Sequence, residues 1–152
     1  MTQESNERTV LSVLQLEIGL MMELGVLLRE AALQLSSTGE VLSRDCLRET
    51  ALAMDSRIER LSQRAAALDQ AHVGTFGGRK DLGILGEMST DQDPVRLIEQ
   101  LRGALLVVCQ AFAAGIVEVS DLGDDESADL LSRLSIELER DLWRLNSSVI
   151  TG

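Results

Sequence analysis

The sequence predicts an all-α fold, a four-helix bundle in which a long crossover connection joins the second and third helices. The chain has 152 residues, which is enough for one domain with a hydrophobic core. Aromatic residues make up only 2% of it, so the core has to be aliphatic, and an aliphatic core suits packed helices better than a sheet. The sole proline, Pro94, leaves long stretches of the chain without a helix breaker.

The segment SSTGE at 36–40 separates the first two predicted helices. The first is expected from about Thr9 to about Leu35 and is apolar on more than one face, so we expect it to be buried on several sides, with a subunit contact as the simplest second neighbour. The second is expected from about Ser43 to about Asp69. Its apolar residues alternate spacings of four and three, as in the seam of a bundle: Leu47, Ala51, Met54, Ile58, Leu61, Ala65 and Leu68.

The long connection is predicted at 71–87, where five of the twelve glycines lie. Asp93 is expected as the N-cap of the third helix, since Pro94 fits the first turn of a helix, and this helix is expected to reach about Asp121. Its inward stripe is Ile98, Leu101, Leu105, Val108 and Phe112. Because only Gln110 is polar between Leu105 and Val117, this helix too is expected to be buried on more than one face.

Asp124 or Asp125 is expected to cap the fourth helix, which is predicted to end near Ser147. Its seam is Leu131, Leu134, Leu138, Leu142 and Leu145. The predicted domain organisation is a flexible N-terminal segment at 1–8, the bundle at 9–147 and a C-terminal tail at 148–152.

Charge and composition restrict the partners and the compartment. The formal net charge is −11, and the N-terminal segment is not a basic arm, so the sequence argues against nucleic acid as a partner. Cys46 and Cys109 fit no metal or redox spacing and are interpreted as inert buried thiols in a reducing cytosol. No secretory signal is apparent, and Glu17 and Glu23 interrupt the apolar run at 10–28, so a cytoplasmic protein outside the membrane is expected.

Asp55 and Glu59 are the first candidate metal ligands. At positions i and i+4 they lie on one helix face and repel each other, and neither has a basic residue three or four positions away. An arginine from another helix or a bound cation should therefore neutralise them. The arginine is a serious alternative, because all basic residues of the chain except Lys80 are arginines.

The segment from Gly123 to Leu145 resembles the last helix of the Dps group of ferritin-like proteins. The matching residues are Asp124, Asp125, Ala128, Asp129, Leu130, Leu142 and Trp143, and the family's G-[ST]-F step in the long connection is matched by Gly74, Thr75 and Phe76. The resemblance covers roughly Thr9 to Ser147. It implies a ferritin-like bundle with a short helix in the connection, assembled into a hollow shell that is a dodecamer in most family members.

The resemblance also implies an iron site between two subunits. The family's D-x-x-x-E ligands correspond to Asp55 and Glu59, whereas the first of its histidines falls at Ala31 or Ala32. The following turn contains no histidine. Glu40 or Asp45 lies near the position of the second histidine, and replacement of the missing ligands by Glu17, Glu23 or Glu30 of the first helix stays open. His72, the only histidine, is interpreted as a surface or interface residue.

Asp124 and Asp129 match acidic positions that line pores in some family members, where they draw cations inward. Capping of the fourth helix is the alternative for Asp124 and Asp125. Two functions follow as expectations. One is a Dps-like shell that sequesters iron and protects against oxidative stress, with a degenerate ferroxidase centre and weak or no activity. The other is a silent structural paralogue that forms a shell, or a mixed shell with an active relative, and does not oxidise iron. A third, weaker possibility is a helical interaction module without a cage.

Overall fold

Four long α-helices make up most of the protein. The computed structural model describes residues 2–36, 41–70, 83–90 and 93–151, and those ranges contain no strand. The helices are α1 (Gln3–Ser36), α2 (Val41–Gln70), α3 (Pro94–Asp121) and α4 (Asp125–Thr151). The predicted all-α bundle is confirmed at this level.

Two helices extend further than the sequence indicated. The first begins at Gln3 instead of Thr9, because the Thr2 hydroxyl accepts a hydrogen bond from the Ser5 amide at 3.2 Å and Glu4 pairs with Arg8 one turn on, at 2.9 Å. The fourth continues to Thr151, past the predicted end at Ser147. Most of the predicted terminal segments, 1–8 and 148–152, is therefore helical.

The predicted caps of the last two helices are confirmed. The Asp93 side chain accepts a hydrogen bond from the Val95 amide at 3.1 Å, with Pro94 in the first turn of α3. Gly123, at φ 83°, makes the turn that leads into α4. Asp124, rather than Asp125, caps α4 and accepts from the Ser127 amide at 3.0 Å.

The helices form a ring in which α1 packs against α2 and α3, and α4 packs against α3 and α2. Ion pairs show that α2 and α4 are antiparallel, since Glu49 pairs with Arg144 whereas Arg64 pairs with Asp124. α1 and α2 are antiparallel as well: Ala32 and Ala51 line one cavity, and Met22 and Ser62 line the next.

The core is aliphatic, as predicted, with Phe112 as its largest fully buried side chain. The predicted seams of α2, α3 and α4 all point inward; Ile58 and Leu142 are half-buried and the remaining members are buried. α1 is buried on several sides because it lies between α2 and α3, so much of its second apolar side is covered within the chain.

The prediction that α3 is buried on more than one face is wrong for the single chain. Leu106, Val107 and Val117 on its outer side are exposed by 45, 41 and 60%. None of the other three described helices covers this side, because the buried residues of α3, Leu105, Val108 and Phe112 among them, lie on its opposite side. The outer half therefore remains apolar and accessible.

α1 and α3 are both long and apolar enough to cross a membrane by length and composition, with 67% of the apolar segment of α1 buried and 28% of that of α3. A core helix of a water-soluble protein passes the same test, so length and composition alone do not show whether α1 and α3 lie in a membrane or in a protein core. In the long connection, 83–90 contains bends and no helix; His72 and the Gly74–Phe76 step lie outside the described residues.

Candidate functional site

The candidate site lies on the outer surface where α1 packs against α2. Asp55 and Glu59 project from α2, and a cavity of about 430 Å³ beside them is lined on the α1 side by Met22, Gly25, Val26 and Arg29. The helix spacing of four brings both carboxylates to one face, as the sequence predicted.

An arginine from the neighbouring helix engages Asp55. The Arg29 guanidinium on α1 donates a hydrogen bond to Asp55 Oδ2 at 2.6 Å, and both side chains are about half exposed. This is the arginine alternative that the sequence left open. For Glu59, which is exposed, the described ranges show neither a hydrogen bond nor an ion pair.

Exposed apolar side chains surround the ion pair. Val26 is 54% exposed, and Leu33 and Leu52 are 68 and 67% exposed. Leu33 and Leu52 line a second cavity with Arg29, Arg48, Ala32 and Ala51. We call the surface formed by Val26, Arg29, Leu33, Leu52, Asp55 and Glu59 the α1–α2 face. The sequence left open which arginine would pair with Asp55, and helical spacing shows only that Arg29 lies one turn from Leu33 on α1.

The described residues do not fit a ferroxidase centre within one chain. The described ranges hold no group of three or more His, Cys, Asp or Glu side chains that could bind a metal ion. Ala31 and Ala32, at the position of the family's first histidine, are buried and offer no ligand atom. The Asp55 carboxylate already has a cationic partner. Asp55 and Glu59 as metal ligands therefore stay a prediction.

Glu17 lies elsewhere, at the contact between α1 and α3. Its side chain is 1% exposed, and its Oε1 is 3.1 Å from where a Cβ on Gly115 of α3 would be. Burial raises the pKa of Glu17 to about 8 from its ordinary value of 4.5. This carboxyl is thus neutral at neutral pH and faces α3, whereas Asp55 faces outward beside α2.

Asp124 has a structural role in this chain. It accepts hydrogen bonds from the Ser127 amide and hydroxyl, and it pairs with Arg64 of α2 at 3.1 Å. Burial alone would raise the pKa of Asp124, but the Ser127 hydrogen bonds and the Arg64 charge outweigh it and hold the pKa below its ordinary range. The capping alternative is therefore realised for Asp124, while Asp129 has an exposed side chain one turn further on.

Ion pairs join α2 to α4, and one of them is buried. Arg57 pairs with Asp141, and these side chains are 6 and 5% exposed. Arg57 Nε also lies 3.7 Å from Glu137, which Arg60 holds at 2.9 Å. Several of the chain's arginines thus serve as links between helices, which the sequence count alone did not assign.

No protein-family model matches the chain, and no curated protein matches it at a meaningful level of similarity. The resemblance to Dps proteins therefore rests on the sequence residues quoted above and stays a prediction.

Proposed function

We propose that this protein is a ferritin-like structural subunit of the Dps type, which assembles with copies of itself through the α1–α2 face and does not oxidise iron. The observation that carries the proposal is the Arg29–Asp55 ion pair at 2.6 Å in the middle of an exposed apolar face. An arginine at this place supplies the positive charge that an iron ion would otherwise supply.

The order of the helices supports the ferritin-like arrangement. α2 ends beside the end of α3, since Leu68 and Leu122 line one cavity. α3 begins at the opposite end, where Ser89 accepts a hydrogen bond from Gln34 of α1 and donates one to Gln100. A helix of 28 residues is about 42 Å long, so a connection between these two ends has to run the length of the bundle. A connection between opposite ends of the bundle supports the proposed ferritin-like crossover.

The composition of the α1–α2 face supports self-association. Leu33, Leu52 and Val26 expose apolar surface around charged residues, an arrangement typical of interfaces with a dry centre and polar groups within it. A two-fold contact would place the same side chains on both sides, and Glu59 of each copy would then find a cationic partner in Arg29 or Arg48 of the other. We expect such dimers to be the building blocks of a larger shell.

Light scattering after size-exclusion chromatography tests the assembly. We expect a particle of several 16.6 kDa chains for the wild type and a smaller particle for Leu33→Glu, because the contact would lose a large apolar side chain and would have to desolvate a carboxylate at its centre. Val95→Glu, an acidic change at another exposed apolar residue, is the matched control and should leave the particle size unchanged. A monomeric wild type would overturn the proposal.

Addition of ferrous iron to the same sample tests the silent site. We expect oxidation at the rate of buffer alone, with oxygen or with peroxide. Arg29→Ala should raise the affinity for divalent cations, since Asp55 and Glu59 would lose the competing guanidinium. If the wild type oxidises iron faster than buffer, and Asp55→Ala with Glu59→Ala abolishes that rate, the protein is an active iron-sequestering shell instead.

A further inference from the structure

The outer side of α3 carries a largely apolar surface that none of the other three described helices covers. Its exposed members recur at helical spacing over 15 residues, about 21 Å of helix, and we call them the α3 stripe: Gly103, Leu106, Val107, Gln110, Ala113, Ala114 and Val117. No charged residue occurs between 103 and 117. Only Gln110, at the midpoint, is polar.

Each large residue on one side of Gln110 in the stripe has a small residue at the mirrored position on the other side. When the stripe is placed against a copy of itself running in the opposite direction, with Gln110 opposite Gln110, Gly103 lies opposite Val117. In the same register Leu106 lies opposite Ala114, and Val107 opposite Ala113. Each branched side chain thus meets a residue with little or no side chain, which is the size complementarity that close helix packing requires. The two central amides can hydrogen-bond to each other.

The neighbouring helix extends the apolar surface. Ile136 and Trp143 on α4 are 51 and 70% exposed. Both lie on the same helix face as Glu139, at spacings of three and four, and Glu139 is close enough to Cys109 of α3 to help burial raise the pKa of that thiol to about 11. This places Ile136 and Trp143 on the side of α4 that borders α3. The tryptophan alone adds on the order of 150 Å² of contact surface to a partner seated on the stripe.

Charge argues against a lipid surface as the partner of the stripe. Helices that lie on membranes carry lysine and arginine along their polar face, whereas this chain has a net charge of −11 and α3 ends in Glu118 and Asp121. A stripe about 21 Å long on a helix about 10 Å wide, together with Trp143, covers roughly half of the 800 Å² or so that a standard interface buries on each partner, which is the size of a weak, concentration-dependent contact.

The structure thus points to a second two-fold contact: α3 pairs antiparallel with α3 of another copy, about an axis at Gln110. This contact uses none of the residues of the α1–α2 face and does not depend on the proposed function. A chain with two different two-fold faces can link its dimers into larger assemblies, because each face can engage a different copy.

Single engineered cysteines test the register, in the full chain with Cys46→Ser and Cys109→Ala, so that no native thiol competes. Gln110→Cys should form a disulfide-linked dimer under mild oxidation, because position 110 meets itself across the axis. Val117→Cys alone should not, since two such residues would be separated by the length of 14 helical residues, about 21 Å, and a disulfide needs Cα atoms within about 7 Å. An equimolar mixture of Gly103→Cys and Val117→Cys chains should cross-link as mixed dimers.

Two further variants separate this contact from the α1–α2 face. Val107→Glu added to Gln110→Cys should reduce the cross-linked fraction at least tenfold, whereas Leu33→Glu or Val95→Glu added to it should leave that fraction unchanged. Efficient self-linking of Val117→Cys would indicate parallel pairing and overturn the proposal. So would absence of cross-links in all variants, or flotation of the wild type with neutral phosphatidylcholine vesicles in place of cross-linking.

Discussion

A neutral glutamic acid at the centre of the α1–α3 contact is the least expected residue of the molecule. Glu17 Oε2 is buried, and no described donor reaches it. Gly115 makes the room for this side chain, since a Cβ there would lie 3.1 Å from both Glu17 Oε1 and a methyl group of Val13. The sequence marked Glu17 as an interruption of an apolar run, but only the packing shows that it enters the core instead of facing water.

The buried carboxyl makes the stability depend on pH in a defined direction. Because the pKa is about 8 in the folded chain and 4.5 otherwise, the folded chain holds a proton that the unfolded chain has lost between these values. The free energy of unfolding therefore falls as pH rises through this window, by up to about 1.4 kcal/mol per pH unit, and this dependence ends above pH 8. Glutamine does not ionise, so we expect the free energy of unfolding of Glu17→Gln to rise relative to that of the wild type by up to about 1.4 kcal/mol for each pH unit in this window.

Urea unfolding of both proteins at pH 5, 6.5 and 8 measures this difference. Glu30→Gln, at an exposed glutamate of the same helix, is the matched control for the loss of a carboxyl group from α1. A constant difference for Glu17→Gln would show that the carboxyl ionises in the folded chain without cost.

At the scale of the helices, several ion pairs join α2 to α4. The Arg57–Asp141 pair is buried, with Glu137 and Arg60 beside it. Burying two charges is costly, so such a pair fixes the register of the helices more than it adds net stability. Its main consequence appears when one partner is removed, because the other charge is then left unpaired in the core.

We expect Arg57→Met to lower the free energy of unfolding by about 3–5 kcal/mol, since Asp141 would lose its partner. Arg60→Met is the matched control. Arg60 is 39% exposed, so this change should cost about 1 kcal/mol or less. Chemical unfolding gives both values, and adding Asp141→Asn to Arg57→Met should recover much of the loss. Equal costs for the two arginine variants would contradict the importance of burial.

The sequence predicted the elements well because their signals are local. Asp93 with Pro94 marked the start of α3, and the heptad spacing from Leu47 to Leu68 marked the inner side of α2. Contacts between helices were harder to predict, because they depend on packing. Nothing near Asp55 in the chain indicates that Arg29, 26 residues away, pairs with it. Likewise, the apolar run of α3 could not show which of its faces the bundle leaves open.

Two separate surfaces for self-association make a prediction about the whole molecule. The α1–α2 face and the α3 stripe lie on different sides of the bundle, so blocking one should leave the other intact. We expect Leu33→Glu chains to remain as dimers through α3, and Val107→Glu chains to remain as dimers through α1–α2. The double variant should be a folded monomer of 16.6 kDa, and the wild type should be larger than a dimer.

Native mass spectrometry with light scattering measures all four species over a range of concentrations. Circular dichroism checks that each variant stays helical, which is expected because both substituted side chains are exposed in the single chain. A dimer that survives the double change would place the contact elsewhere. If Leu33→Glu alone gives monomers, the α3 contact is too weak to hold two chains. If Val107→Glu alone gives monomers, the α1–α2 face does not hold two chains together, and the shell proposal fails.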